Sequence, residues 1–117
     1  MDLFDSTHQL LEGALRGAAA RHTALSANIA NANTPGYRRV DVDFHAALRE
    51  AAGDDPDAVA ELEFTPAAEP GVMQVDGNGV DIDVEAAELA ANGLEYQALV
   101  AVMAGRRSIL QSAIGTR

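Results

Sequence analysis

The chain has 117 residues, a formal net charge of −10 at neutral pH and no cysteine, which is length enough for one domain with a modest core. Without cysteine there is no disulfide framework, thiolate metal site or cysteine nucleophile, and without lysine there is no Schiff-base chemistry. No run approaches the roughly 18 apolar residues of a membrane span, and an acidic surface repels phosphate backbones, which argues against nucleic acid as a partner.

The charge is uneven. Residues 51–83 hold nine acids and no base, whereas the stretches on either side are near neutral. The opening "MDLFDSTHQLLEG" carries acids where a secretory signal carries a basic region, so a cleaved Sec-type signal is not expected.

Phe4, His8, Leu11, Leu15, Ala18, His22, Leu25, Ile29 and Ala32 follow one another at alternating steps of four and three, the period of a coiled-coil seam. This spacing predicts a first helix, capped by Asp5 or Ser6 and reaching Asn31 after roughly 40 Å at about 1.5 Å per residue. It ends in "NIANANTPGYRR". Pro35-Gly36 suits a type II turn, with proline fixing φ at the first central position and glycine supplying positive φ at the second. Thr34 is pushed out of the helical region by the proline, Asn33 is a candidate left-handed terminator, and Asn28 and Asn31 share a helix face from which their amides can bond the incoming backbone.

The middle is expected to hold a short helix near Phe44–Ala52 and short strands at Glu63–Thr65 and Val72–Val75, broken by Pro56, Pro66 and Pro70. A second long helix follows, with Asp81 and Asp83 as candidate caps and an apolar stripe through Ala87, Ala91, Leu94, Ala98, Val102, Ile109 and Ala113. The expected fold is mainly α, with two long terminal helices packed as a hairpin or coiled-coil-like pair around a short, irregular, partly β, acidic segment. Its parts are residues 1–33, 34–82 and 83–117, together forming one unit. The small insert cannot cover both seams, so each other or neighbouring copies must. The expected contacts between subunits are Leu11, Leu15, Leu25, Ile29, Leu94, Tyr96, Val102, Ile109 and Ile114.

Catalytic and ligand chemistry find little support. His8 and His22 lie about 21 Å apart along a helix, too far for one coordination sphere. Asp76, Asn78, Asp81 and Asp83 lack calcium-loop spacing and its closing glutamate. Ser6, Ser26, Ser108 and Ser112 have no local base. No catalytic, cofactor or metal site is expected. The pairs Arg38-Arg39 and Arg106-Arg107 are either solvated charges or partners of acids in the middle segment, of the same chain or a neighbour's.

The string of Asn28, Ala30, Asn31, Thr34, Pro35, Gly36 and Tyr37 resembles the N-terminal signature of bacterial flagellar rod and hook proteins. The stretch "GNGVDIDVEAAELAANGLEYQALV", with Asn78, Val80, Asp81, Asp83, Glu85, Leu94, Tyr96 and Gln97, is similar to the C-terminal element of the proximal-rod members of that family. The resemblance implies a structural subunit and not an enzyme, exported unfolded through the flagellar type III apparatus without a cleaved signal. It implies assembly in the periplasm into the proximal rod, through the terminal helices. Implied partners are further copies of the chain, other rod proteins such as FlgC, the rod adapter FliE and the export apparatus. The competing reading, a soluble helical-hairpin adaptor or secretion chaperone, shares the acidity and alanine-rich helices but has no need of the Thr-Pro-Gly-Tyr corner.

Overall fold

A computed structural model describes residues 3–55, 57–68 and 79–115. The expected strand at Val72–Val75, together with Pro56, Pro70, Asp76 and Asn78, lies outside the described residues, as does the side chain of Phe4. In chain order the elements are α1 (Leu3–Ala30), β1 (Val40–Asp41), α2 (Phe44–Asp54), α3 (Ala58–Glu61), β2 (Ala67–Ala68) and α4 (Ile82–Gly115). The fold is mainly α. Two long terminal helices pack against each other in opposite directions, and a short, partly β segment lies between them in sequence. The molecule is a slab measuring 66 × 28 × 14 Å.

The core forms where α2 and α3 lie on the middle of α1. Ala18, Ala24, Val42, Phe44, Leu48 and Val59 are buried together, with Leu62, Phe64 and Leu99 packed around them. The Asp43 side chain starts α2 by accepting from the Ala46 amide at 3.2 Å. Phe44, Leu48, Ala51 and Ala52 then return to one face at helical spacing. Each large side chain so buried stabilises by about 1.5–3 kcal/mol. Gly17 makes this approach possible, because a Cβ there would sit 2.4 Å from the Cβ of Phe44. Arg16 closes the far side of the layer. Its guanidinium donates to the Leu62 carbonyl at 2.6 Å and the Val59 carbonyl at 3.0 Å, and so satisfies the C-terminal end of α3.

The short sheet differs from expectation. Val40 pairs with Ala68 and Asp41 with Ala67, antiparallel, whereas Glu63–Thr65 is irregular because Phe64 turns inward to pack on the core. Helix α1 begins at Leu3, so Asp5 and Ser6 lie inside it and not at the position before its first residue. At its other end no non-glycine residue among those described has positive φ. Asn33 is therefore not a left-handed terminator. The chain leaves the helix through successive tight turns instead, with Ala32 N donating to the Ile29 carbonyl at 3.2 Å and Thr34 N to the Asn31 carbonyl at 3.0 Å.

The largest departure is in α4. Every member of its expected apolar stripe, Ala87, Ala91, Leu94, Ala98, Val102, Ile109 and Ala113, faces out. The face turned toward the rest of the chain carries Glu85, Glu88, Asn92, Leu99 and Arg106. Glu85, Asn92, Leu99 and Arg106 recur every seven residues, the interval that holds one line of a helix against a partner. The reason for the inversion is what α1 offers across the seam: a carbonyl, an arginine and an asparagine, each of which needs a polar mate.

Candidate functional site

Where α1 turns into β1 and α4 begins, the chain builds a buried polar knot. Asp81 starts α4 by accepting from the amides of Asp83 at 3.0 Å and Val84 at 3.3 Å. One turn in, Glu85 points inward with 1% of its surface exposed. Asn28, with none exposed, uses its whole amide. Its Oδ1 accepts from the Val40 amide at 2.8 Å and the Tyr37 hydroxyl at 3.1 Å, while its Nδ2 donates to the Val40 carbonyl at 2.7 Å and to Glu85 Oε2 at 3.0 Å. One side chain thus ties the helix end, the corner and the start of α4.

Arginines neutralise the acids around it. Arg39 Nε donates to Glu85 Oε1 at 2.6 Å, and its terminal nitrogen reaches Asp41 Oδ2 at 3.3 Å. Arg21 grips Asp41 with two hydrogen bonds of 2.8 and 3.2 Å and reaches Glu88 at 2.7 Å. The Asp41 hydrogen bond, opposed by burial and helped by Glu88, raises the Arg21 pKa well above its ordinary value, so it is charged at any working pH. Burial pushes the Asp41 carboxyl up, but the Arg21 hydrogen bond, the Val42 amide and the charges of Arg21 and Arg39 more than offset this and hold it below 3.8. Further along the seam, Asn92 Nδ2 donates to the Ala18 carbonyl at 2.8 Å, and its Oδ1 is buried without a partner among the described residues.

The corner residues fall as follows. Gly36 has φ 75° and Tyr37 N donates to the Thr34 carbonyl at 3.1 Å, the closure a Pro-Gly type II turn requires. Asn31 Nδ2 bonds back to the Ala27 carbonyl at 2.8 Å, and the Thr34 hydroxyl donates to Asn31 Oδ1 at 3.2 Å, so Asn31 braces the turn locally while Asn28 does the long-range work. Ala30 and Pro35 are exposed. Arg38 and Gly79 form an isolated bridge. Arg39 does meet acids, Asp41 in the middle segment and Glu85 on α4.

Asn92, Arg21 and Asp41 were not among the residues singled out by sequence, and Glu85 was named only within the family string. The seven-residue recurrence from Glu85 is the signal that could have found Asn92. Among the residues expected at subunit contacts, Leu25 is enclosed in the chain's own fold and presents no surface to a neighbour. Leu11, Leu15 and Ile29 are half-buried, whereas Leu94, Tyr96, Val102, Ile109 and Ile114 are exposed, Leu94 by 68% and both isoleucines by 70%. His8 and His22 are exposed on the rim of the seam, and His8 pairs with Glu12 at 3.1 Å. No group of three or more residues suited to hold a metal occurs among the described residues, and no described helix is long and apolar enough to cross a membrane.

Two long helices joined through a braced Pro-Gly corner define a class of rod-type helical subunit, and residues 9–38, which span most of α1 and that corner, match the family model described as flagella basal body rod protein. The likeness extends over the rest of the chain. It is 34% identical over 135 residues to the flagellar basal body rod protein FlgB of Escherichia coli (strain K12), covering 96% of this chain and 98% of the relative. It is 32% identical over 126 residues to FlgB of Bacillus subtilis (strain 168), covering 97% of each, and 35% identical over 124 residues to FlgB of Aeromonas hydrophila, covering 95% and 94%. The chain belongs to the FlgB family of flagellar basal body rod proteins.

Proposed function

We propose that this chain is a structural subunit of the proximal flagellar rod, passed through the type III export apparatus and assembled in the periplasm with further copies and other rod proteins through its terminal helices. The observation that carries this reading is the apolar side chains that α4 leaves exposed. Val84, Leu94, Val100, Val102, Ile109, Leu110 and Ile114 are all exposed along one helix, and exposed apolar surface of this kind marks a contact with other molecules. The polar knot complements this surface. By satisfying the charged seam within the chain, it leaves the apolar positions for contacts outside it. Assembly into a tube calls for two different sticky faces on each subunit, since head-to-tail contacts that do not close give open helical arrays.

Deleting Ser108–Arg117 tests the reading. The knot lies at the opposite end of α4, so the truncated chain is expected to fold and be exported, yet to be missing from purified basal bodies, with motility lost. Normal incorporation of the truncated chain would overturn the assignment of this helix end to assembly.

A further inference from the structure

Two grooves on the chain are complementary in charge. The first, about 620 Å³, lies at the open end of the hairpin, where Leu15 on α1 faces Val100, Met103, Ala104 and Leu110 on α4; His8, Arg106 and Arg107 rim it, and no acid lines it among the described residues. The second, about 590 Å³, lies between α2 and α3, with Ala47, Ala51, Ala58 and Leu62 as its floor and Glu50, Asp54, Glu61 and Glu63 around it, and no base lines it. No residue lines both.

His8 is paired with Glu12, but other charges of the two grooves are unspent within the described fold. Among the described residues Arg107 has no ion-pair partner, and neither have Glu50, Asp54, Glu61 and Glu63. On α4, Arg107, Leu110 and Ile114 recur at steps of three and four, so the charge and two apolar side chains share one helix face. The second groove offers the converse, small apolar residues between carboxylates.

We propose that the apolar groove at the open end of the hairpin receives the acidic α2–α3 edge of a second copy of this chain, with Arg107 meeting the Glu61 side of that edge. The contact is heterologous: groove and edge are different surfaces, so each copy has one of each left to offer, and the pairing repeats without closing. Complementary charge sets the register and rejects the like-with-like arrangement, because edge against edge would oppose two rows of carboxylates. The acidic middle segment thereby acquires a role that the terminal helices alone do not give it. The proposal rests on the rod-subunit reading and names one of its contacts.

The test uses the full chain with a photo-crosslinking amino acid in place of Leu110, mixed at high concentration with an isotopically heavy copy. Crosslinks are expected from position 110 to heavy peptides containing Ala47–Glu63. Arg107→Glu alone and Glu61→Arg alone should each lower their yield about tenfold, and the two together in one chain should restore it. Both positions are exposed, and an unchanged circular dichroism melt shows that each variant folds. Absence of intermolecular crosslinks to that segment, crosslinks to α4 alone, or single and double variants of equal yield would each overturn the pairing. Basal bodies purified from cells making Arg107→Glu separate the two ideas. Normal incorporation there discards this contact and leaves the rod reading standing, while absence of even the unaltered chain from basal bodies discards the rod reading itself.

Discussion

Asn28 and Glu85, separated by 57 positions, meet through a 3.0 Å hydrogen bond in the interior. The bond is possible because Asn28 lies in the last turn of α1 and Glu85 in the first turn of α4, so each helix contributes a terminus to the same point. Asn28→Ala would leave the Val40 amide and carbonyl without mates and strip Glu85 of a donor. The expected loss is about 3 kcal/mol, since each buried group left unpaired costs about 1–3 kcal/mol. Asn28→Asp should be at least as damaging near neutral pH, because it sets a carboxylate beside Glu85. Urea unfolding measures both. A loss for Asn28→Ala under about 0.5 kcal/mol, the ordinary scatter of surface changes, would mean that the knot does not hold the helices together.

Gly36 separates backbone strain from crowding. A Cβ there would meet nothing within 4 Å, so any cost of substitution comes from its φ of 75°. Gly36→Val should destabilise by about 1 kcal/mol or more, whereas Gly36→Asn should lose less because asparagine tolerates the left-handed region. Thermal melts of the two variants decide the matter, and equal losses would remove the turn from the account.

Gly17 presents the opposite case. Gly17→Ala should gain about 1 kcal/mol from helix propensity, but the new methyl falls on Phe44, and overpacking costs about 1–3 kcal/mol. The expected net effect is destabilisation. In a Phe44→Gly background, which removes the Cβ together with the ring, the same change should cost less, a coupling that a double-mutant cycle reads directly. A Gly17→Ala protein more stable than the parent would show that α2 can yield without penalty.

Acid unfolding should carry the signature of Asp41. Its carboxyl is held below 3.8 in the folded chain. Its stabilising contribution is therefore fully present above that value and is lost as pH falls through the lower folded-state value. Measured against Asp41→Asn, the stability advantage of the native residue should stay constant from neutral pH down to about 4 and shrink below it. An advantage that instead grew on acidification would reverse the assigned sign.

How far these arrangements could be read from sequence depended on whether one residue or two elements decided them. The Pro35-Gly36 corner was legible because proline and glycine restrict their own backbone wherever they occur. The seam of α1 was legible at Ala18, Leu25 and Ala32 because small and apolar residues there return with an unbroken period. The face of α4 was not. Hydropathy marks the residues that water disfavours, yet Leu94 and Ile109 stay exposed while Glu85 and Asn92 go inside, since their partners, Arg39, Asn28 and the Ala18 carbonyl, are distant in sequence. A pairing of that kind has no local trace. The short helix α3 was missed for a related reason, because its end is held by Arg16, more than forty positions away.

The inverted α4 also has a mechanical consequence. The helix is clamped near its beginning by the charged knot and by Leu99 against the core, while from Arg107 to Gly115 every residue is exposed. From Arg107 to Gly115 the exposed end extends about 12 Å at about 1.5 Å per residue, so a tilt of about 10° where it leaves the seam swings its tip by about 2 Å. A stiff arm on a fixed pivot lets a subunit reach neighbours at slightly different distances without repacking its own interior. In a rod built of such subunits, the bending would fall on the arms and leave the pivots in register.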